Sequence, residues 1–340
     1  MGRKTQTNRI TDRESLAAIN LENARLSSEF QDYLKSTQKS RTTITVYAND
    51  LDICWVWSLR NNGNKFFVDW TKRDIIALQN WLINENGNST ARVRRIKATL
   101  SSLSNFIESI LDDDYPEFRN IVHKVESPTS QPVREKTVLY DEQLKSLLDE
   151  LVKRGDVEKA CMLALAMYSG RRKAELVRFK TEYFDEKNII YGSLFKTPEA
   201  IRTKGRGNGK YLYCYTLAND FRPYLSMWME RRRAERIESE WLFPMKGNPL
   251  EHMKASTLNS WAETFSRILG VDFYFHCLRH YFTTHLVRMG LPDGVIQDIV
   301  GWESADMPKL YTDISVDEQL GRYFDASGIK TVERVGLRDI

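Results

Sequence analysis

Three short pieces of sequence decide how this chain is interpreted: His276-Cys277-Leu278-Arg279-His280-Tyr281, then Val300-Gly301-Trp302, then Leu310-Tyr311-Thr312. Residues three positions apart are neighbours on a helix, so the first piece predicts that His276 and Arg279 lie side by side. An indole and a phenol follow in the same part of the chain. A guanidinium, an imidazole, an indole N–H and a phenolic oxygen suit one task, which is to hold a phosphodiester while attacking it.

The length and composition indicate a globular protein of two domains. A chain of 340 residues is too long for one ordinary core. Its 41% of hydrophobic and 28% of charged residues are typical of a folded protein and not of a disordered one. No apolar run approaches the roughly 18 residues of a membrane helix, and the N-terminus lacks the apolar core of a signal peptide. We therefore expect a cytoplasmic protein with no membrane partner.

The cysteine pattern and the net charge exclude few further classes of protein. The four cysteines are scattered and form no C-x-x-C pair, so buried free thiols are favoured over a zinc site or a disulfide framework. A net charge of +4 with a pI near 8.7 permits nucleic-acid binding but does not argue for it. The argument for DNA must come from local clusters and from chemistry.

The first part of the chain is predicted to be a helical domain. Residues 1–20 are polar and basic, and we expect a flexible tail. Helices are predicted to begin near Leu21, after Ser40 and after Thr71, and Ser89 or Thr90 is expected to cap a fourth. These helices define a domain over residues 21–123. Residues 124–137 are rich in proline, serine and threonine, which is typical of a linker.

The fourth helix carries a basic cluster. Its members are Arg92, Arg94, Arg95 and Lys97, and they lie beside an apolar stripe formed by Val93, Ile96, Leu100, Leu103 and Phe106. Cations at a helix N-terminus oppose the macrodipole, so local helix stability does not explain them. A solvated basic face and a phosphate-contacting face both remain open.

Residues 138–314 are predicted to form a second domain that is mostly helical. The apolar run 161–168 indicates a central buried helix, which Ser169-Gly170 interrupts. From residue 188 to 217 the pattern changes to β-rich, and the glycines of residues 203–210 indicate the tip of a hairpin. The segment 191–200 is longer than a minimal hairpin needs. The predicted fold class is therefore mainly α, with a small β-sheet or hairpin in the second domain.

Taken singly, the chemical groups are weak signals. Arg172 and Glu175 have the spacing of an ordinary helix ion pair, and the glycine-rich tip is followed by a strand, so it is not a P-loop. The histidines of residues 276–285 include no H-E-x-x-H arrangement, and we expect no metal. Trp302 and Tyr311 are by default core or surface aromatics. Their order along the chain is more specific.

That order resembles the tyrosine recombinases, or phage integrase family. The residues that carry the resemblance are Ser169-Gly170-Arg171-Arg172-Lys173-Ala174-Glu175-Leu176, Lys204-Gly205, His276-x-x-Arg279, Gly301-Trp302 and Tyr311. Residues 22–125 are similar to the family's core-binding domain, through Ser40-Arg41-Thr42-Thr43-Ile44, Tyr47 and Asp50-Leu51. The resemblance covers most of the chain and implies a two-domain recombinase with a core-binding domain and a catalytic domain.

The resemblance also implies a role for each matched residue. The implied catalytic residues are Arg172 as the first arginine, Glu175 as the acid that orients the site, Lys204 as the hairpin lysine, and His276 and Arg279 as the His-x-x-Arg pair. Trp302 occupies the position at which most members have histidine and Cre-like members have tryptophan. Tyr311 is the implied nucleophile. Lys210 is the alternative to Lys204. The candidate DNA-binding residues are Arg41, Thr42, Arg92, Arg94, Arg95, Lys97, Arg206 and Lys210.

The implied chemistry needs no cofactor. Arg172 and Arg279 would hold the non-bridging oxygens with fork-shaped hydrogen bonds. Tyr311 would attack and form a 3′-phosphotyrosine, which conserves the bond energy without ATP. His276 would accept the phenolic proton, and Lys204 would protonate the departing 5′-oxygen.

The expected function is site-specific recombination of double-stranded DNA through a Holliday junction, in the integration or excision of a mobile element. A monomer or weak dimer would assemble into a homotetramer on DNA at the nucleoid, with accessory DNA-bending proteins as further partners. Residues 315–340 are predicted to form a tail helix through Val316, Leu320, Tyr323 and Phe324, docked on its own domain or on a neighbouring protomer. A type IB topoisomerase and a catalytically idle DNA-binding protein are the alternatives.

Overall fold

The computed structural model describes residues 10–129, 137–203 and 211–302, together with the backbone of Phe324–Asp325 and Gly328–Ile329. The chain divides into two compact units. The first is built mainly from residues 4–135, and the second from residues 136–203 and 211–340. Each has its own hydrophobic core. In the described part of the chain, no helix has both the length and the apolar character needed to cross a lipid bilayer.

The first unit is helical. Its helices are α1 (Arg13–Ala18), α2 (Leu21–Ser36), α3 (Arg41–Asn61), α4 (Lys72–Asn80) and α5 (Thr90–Ile110). Short 3-10 turns occupy Phe67–Asp69 and Val122–Lys124, and a π-helical turn, Trp81–Glu85, extends α4. The predicted cap at Ser40 is confirmed, and Ser89 is the one of the two candidates that caps α5. The hydroxyl of Thr71 caps α4 in the same way, by accepting a hydrogen bond from a backbone N–H of the first turn. The apolar stripe predicted for α5 is buried in the core of this unit.

The prediction of a flexible tail through residue 20 is wrong for its last ten residues. Asp12 caps α1 by accepting a hydrogen bond from the Ser15 amide at 2.7 Å. Arg60 of α3 donates to the Asp12 carboxylate at 2.8 Å, and Ile10 and Ile19 are buried in the core. A local cap, an ion pair and two apolar contacts therefore hold this segment, although its composition is polar.

The second unit is also mainly helical. Its helices are α6 (Asp141–Lys153), α7 (Val157–Ser169), α8 (Lys173–Leu176), α9 (Ala218–Ala234), α10 (Thr257–Leu269), α11 (Phe275–Arg288) and α12 (Asp293–Val300). Short 3-10 turns occupy Thr181–Phe184 and Glu186–Asn188. Helix α7 packs against α6, α9 and α11, and its residues from Ala160 to Met167 are all buried. The prediction of a central buried helix is confirmed.

Small antiparallel sheets complete this unit. The strands are β1 (Ile189–Ile190), β2 (Leu194–Lys196), β3 (Ile201–Arg202), β4 (Tyr211–Leu212), β5 (Tyr215–Leu217), β6 (Pro244–Met245) and β7 (Asn248–His252). Strands β3 and β4 pair on either side of the glycine-rich tip, with Ile201 opposite Leu212. The segment 191–200 has a structural role, because β2 is the middle strand of the sheet β1-β2-β5 and buries Phe195 opposite Thr216. The predicted fold class is confirmed.

The predicted tail helix does not reach Phe324. Phe324–Asp325 forms β8, which pairs antiparallel with β9 (Gly328–Ile329). Asp325 and Gly328 flank the two residues that separate these strands, and aspartate and glycine at the first and last positions of such a four-residue stretch favour a β-turn over a continuing helix. Val316, Leu320 and Tyr323 lie outside the described residues.

Candidate active site

Gly170 brings two helices of the second unit into contact. It ends α7 in the left-handed conformation, with φ of 60°. A Cβ at this position would lie 2.4 Å from Cδ1 of Phe282 on α11, which is closer than non-bonded atoms approach. The Gly170 carbonyl accepts a hydrogen bond of 3.0 Å from Nη1 of Arg279. Glycine is therefore required both by the backbone conformation and by the close packing of α11.

Arg172 is oriented by a buried carboxylate. It precedes α8, and its amide donates to Glu175 Oε2 at 3.1 Å. Its Nη1 donates to Glu175 Oε1 at 3.0 Å. The Glu175 side chain is 2% exposed and that of Arg172 is 32% exposed, so a fixed anion lies beneath a cation that water and ligands can reach. This differs from the ordinary solvated helix pair that the spacing alone suggests.

Arg279 lies between the Gly170 carbonyl and the ring of Trp302. Its residue surface is 1% exposed, and the guanidinium carbon is 5.5 Å from the centre of the indole. Trp302 is itself buried and follows α12 through Gly301, whose φ is 75°. A cation–π contact and one carbonyl hydrogen bond thus define the position of this guanidinium before any ligand binds.

His276 lies one helical turn before Arg279 on α11 and packs edge-on against His280, with 5.3 Å between ring centres. The surrounding protein desolvates the imidazole, and the charges of Arg279 and Arg172 disfavour a further cation; together these effects lower the pKa of His276 to about 4. One side of the residue remains exposed, so water screens part of the effect. The imidazole is neutral at pH 7 in either case, and it can accept a proton.

The lowered pKa of His276 predicts how stability changes with pH. Below its ordinary value of 6.5, the unfolded chain binds a proton at this residue that the folded chain does not bind. The protein should therefore lose stability at this position as the pH falls from about 6.5 towards 4. His276→Gln, which cannot bind that proton, should lose less. Thermal midpoints of the unaltered protein and of His276→Gln, measured near neutral pH and again near pH 5, test this. If the difference in midpoint between the two proteins is the same at both pH values, the prediction is contradicted.

The structure brings five of the predicted catalytic residues into the second unit's site. Arg172 and Glu175 are paired, Arg279 packs on Trp302, and His276 experiences the charges of both arginines. Lys204 and Tyr311 lie outside the described residues, as do Arg206 and Lys210. In the described part of the chain, no group of three or more His, Cys, Asp or Glu side chains is arranged to hold a metal ion.

The sequence analysis missed Arg171. Its side chain is 1% exposed, and its Nη2 donates to the carbonyl of Ile299 at the end of α12. A Cβ on Gly301 would lie 3.6 Å from Nη1 of Arg171 and 2.4 Å from Cδ1 of Leu212. Arg171 therefore joins the loop that carries Arg172 to the turn that carries Trp302. The sequence analysis assigned the chemistry to the neighbouring Arg172 and gave Arg171 no role. The sequence feature that could have indicated a role is the position of Arg171 directly after the glycine that ends α7.

The candidate DNA-binding residues of the first unit differ in exposure. Arg41 and Thr42 are exposed at the start of α3. Arg94 is exposed and donates to the Pro128 carbonyl at 3.0 Å. Arg92 and Arg95 are partly exposed on the first two turns of α5.

Lys97 has a different environment, which corrects its predicted phosphate contact. It is 5% exposed, and its ammonium donates to the carbonyls of Val125 and Glu126 at 2.7 and 2.9 Å. Burial lowers the pKa of Lys97. The side chain is therefore used to tie the end of the first unit to α5, and its ammonium is not presented to solvent.

Comparison with known proteins gives the class of this molecule. Residues 137–318 match the model of the phage integrase family, and residues 26–117 match a phage integrase N-terminal SAM-like domain. The first match covers more than half of the chain. The chain therefore belongs to the phage integrase family, and the resemblance on which the sequence analysis relied is confirmed.

Individual relatives are distant. The chain is 28% identical to an SPbeta prophage-derived recombinase-like protein of Bacillus subtilis (strain 168), over 80% of each protein. It is 27% identical to the tyrosine recombinase XerC of Oceanobacillus iheyensis, over 85% of this chain and 91% of that one. A crystal structure of a lambda integrase dimer bound to a COC′ core site shares the fold, with a TM-score of 0.61 and 18% identity over 94% of this chain and 85% of that one.

Proposed function

We propose that this protein is a site-specific recombinase that cuts and rejoins double-stranded DNA through a covalent 3′-phosphotyrosine. The observation that carries the proposal is the arrangement of two arginines that are fixed in advance. Arg172 is held by the buried Glu175, and Arg279 is held by the Gly170 carbonyl and the Trp302 ring. Family membership supports the same reaction class.

Each step of the proposed reaction has a group to perform it. Arg172 and Arg279 donate to the non-bridging oxygens of the scissile phosphate, and their charge stabilises the pentacoordinate transition state. The Tyr311 oxygen attacks phosphorus and its proton passes to the neutral His276. The bond to the 5′-oxygen breaks, and Lys204, or Lys210 in its place, protonates that oxygen. Attack by another 5′-hydroxyl reverses these steps and restores a phosphodiester, so no nucleotide cofactor is consumed.

The presence of tryptophan at position 302 changes which residues can perform acid–base catalysis in this scheme. An indole N–H donates a hydrogen bond but cannot exchange its proton near neutral pH as imidazole does. Acid–base catalysis would therefore be performed by His276 and the hairpin lysine, whereas the indole makes a cation–π contact with Arg279.

The first unit supplies DNA binding in this proposal. Arg41, Thr42, Arg92, Arg94 and Arg95 lie on α3 and α5 and would contact phosphates, which gives affinity without sequence preference. Action on chromosomal DNA would place the protein in the cytoplasm at the nucleoid.

We propose integration or excision of a mobile element as the biological setting. The similarity to a prophage-derived recombinase-like protein supports it. Four protomers would join two sites and exchange one pair of strands at a time through a Holliday junction. Residues 315–340 would dock on a neighbouring protomer, and DNA-bending proteins would complete the complex.

The direct test is to trap the covalent intermediate on a suicide substrate, a duplex nicked beside the cleavage position so that the cut end diffuses away. The protein should form an adduct that survives denaturation and disappears when DNA is degraded. Tyr311→Phe should form none, because phenylalanine has no oxygen to attack phosphorus. Tyr191→Phe, at a tyrosine of the second unit that is 92% exposed, is the matched control and should form the adduct normally. An adduct that persists in Tyr311→Phe would refute the proposed nucleophile, and plasmid relaxation without any preferred site would favour a topoisomerase.

A further inference from the structure

Beneath the basic surface of the first unit lies one fully buried carboxylate. Asp50 of α3 is 0% exposed. Arg95 donates two hydrogen bonds to this carboxylate, from Nε to Oδ2 at 3.0 Å and from Nη2 to Oδ1 at 2.8 Å. Arg92 lies 3.2 Å from Oδ1, and the Thr99 hydroxyl donates to Oδ2 at 3.2 Å. Every cation of this group comes from the first two turns of α5.

The two arginines are not buried with their partner. The side chain of Arg92 is 30% exposed and that of Arg95 is 42% exposed. Two cations share one carboxylate, so the group keeps a net positive charge at the surface. A guanidinium has five N–H donors, and the fork that Arg95 makes with Asp50 leaves others for a second acceptor. A buried anion thus fixes two cations that solvent and ligands can still reach.

Stability alone does not explain this arrangement. Two cations near the N-terminus of α5 oppose its macrodipole, and a carboxylate removed from water loses hydration that ion pairing only partly restores. Burial also raises the pKa of Asp50, although Arg95 opposes that effect. An apolar residue at this contact between α3 and α5 would avoid these costs.

We propose that Asp50 is a positioning residue for DNA binding, which holds Arg92 and Arg95 as a preformed site for one backbone phosphate. Long side chains lose conformational freedom when they bind, and that loss weakens binding unless the chains are ordered beforehand. The Asp50 carboxylate orders both guanidinium groups in the unbound protein. The inference rests on the proposed DNA-binding function of the first unit and adds a residue that no DNA need touch.

Charge counting and positioning predict opposite effects of Asp50→Asn. The substitution removes a negative charge from beneath a DNA-binding surface, so Coulomb's law alone predicts tighter binding. The amide has the same shape but cannot hold two guanidinium groups as a carboxylate does. If Asp50 acts by positioning, binding should weaken by about tenfold.

The experiment measures equilibrium binding of the full chain to a fluorescent duplex of about 30 base pairs at fixed salt, because phosphate contacts do not depend on sequence. Tyr311→Phe serves as the starting protein, so that cleavage does not perturb the equilibrium. Asp50→Asn should weaken its binding about tenfold. In a background that carries Arg92→Ala and Arg95→Ala, Asp50→Asn should have no further effect, because the residues through which it acts are absent. Equal or tighter binding by Asp50→Asn, or an equal loss in both backgrounds, overturns the proposal.

A second variant covers the case in which Asp50→Asn does not fold. Arg95→Lys keeps the charge and the buried carboxylate but cannot form the fork, so it should weaken binding several-fold. Arg60→Lys is the matched control, because Arg60 is a partly exposed arginine of α3 that pairs with Asp12 and is not among the proposed phosphate contacts; it should bind nearly as the starting protein does. Equal effects of the two lysine variants overturn the proposal. A starting protein that binds no DNA at low salt refutes the DNA-binding function itself.

Discussion

Arg279→Lys should slow formation of the covalent DNA adduct by roughly 100- to 1,000-fold, the usual effect of losing one preorganised donor to a transition state. The guanidinium makes two contacts at once: one nitrogen donates to the Gly170 carbonyl, and the guanidinium carbon lies 5.5 Å from the centre of the Trp302 ring. A lysine ammonium on a buried site can meet one acceptor but cannot replace a planar fork. Charge is conserved in this substitution, so the loss reports geometry.

The measurement is single-turnover cleavage of a suicide substrate at saturating protein. Arg288→Lys is the matched control, because Arg288 lies on the same helix and is exposed; its rate should equal that of the unaltered protein. Binding of Arg279→Lys to uncleaved DNA should change little, since most affinity comes from other phosphates. A cleavage rate within a few-fold of normal would exclude a transition-state role for Arg279.

Gly170→Ala should destabilise the second unit by roughly 2–5 kcal/mol. About 1–2 kcal/mol comes from a side chain in the left-handed conformation, and about 1–3 kcal/mol comes from the collision with Phe282. The collision also pushes α11 away from the carbonyl that Arg279 contacts, so cleavage should fall even where the protein remains folded.

Gly270→Ala separates the two contributions. Gly270 ends α10 with φ of 70°, and nothing lies within 4 Å of a Cβ placed there. This control should cost only the conformational part, about 1–2 kcal/mol, and it should leave cleavage intact. The free energy of unfolding of both variants is measured by denaturant unfolding, followed by a spectroscopic signal that reports on the second unit. Equal losses would mean that the Phe282 contact is relieved by small adjustments and does not enforce glycine.

Local features of this fold were predictable from the sequence because their causes are local. The caps at Ser40 and Ser89 and the stripe on α5 depend on residues within a few positions of each other. The candidate catalytic group was proposed from the order of unusual residues along the chain. The geometry that holds it was not predictable, because Gly170 and Arg279 are 109 positions apart.

Charged residues were harder to interpret than apolar ones. Lys97 and Arg95 look alike in sequence, yet one ammonium is buried against the carbonyls of Val125 and Glu126 and the other cation reaches solvent. Arg171 and Arg172 are adjacent, yet one is buried under the end of α12. Each outcome depends on a partner from a distant segment, which helical spacing does not reveal. The same reason applies to Asp50, whose partners lie more than forty positions away.

The separation of Gly170, Arg279 and Trp302 along the chain has a consequence during synthesis. A ribosome releases residues in order, and contacts that close long loops form late because chain entropy opposes them. A growing chain that has reached only α9 already contains Arg172 and Glu175. It still lacks the proposed nucleophile Tyr311, and it lacks α11, the helix that carries Arg279. On the proposed mechanism, a chain of that length could not form the phosphotyrosine, and strand cleavage would require translation to pass Tyr311.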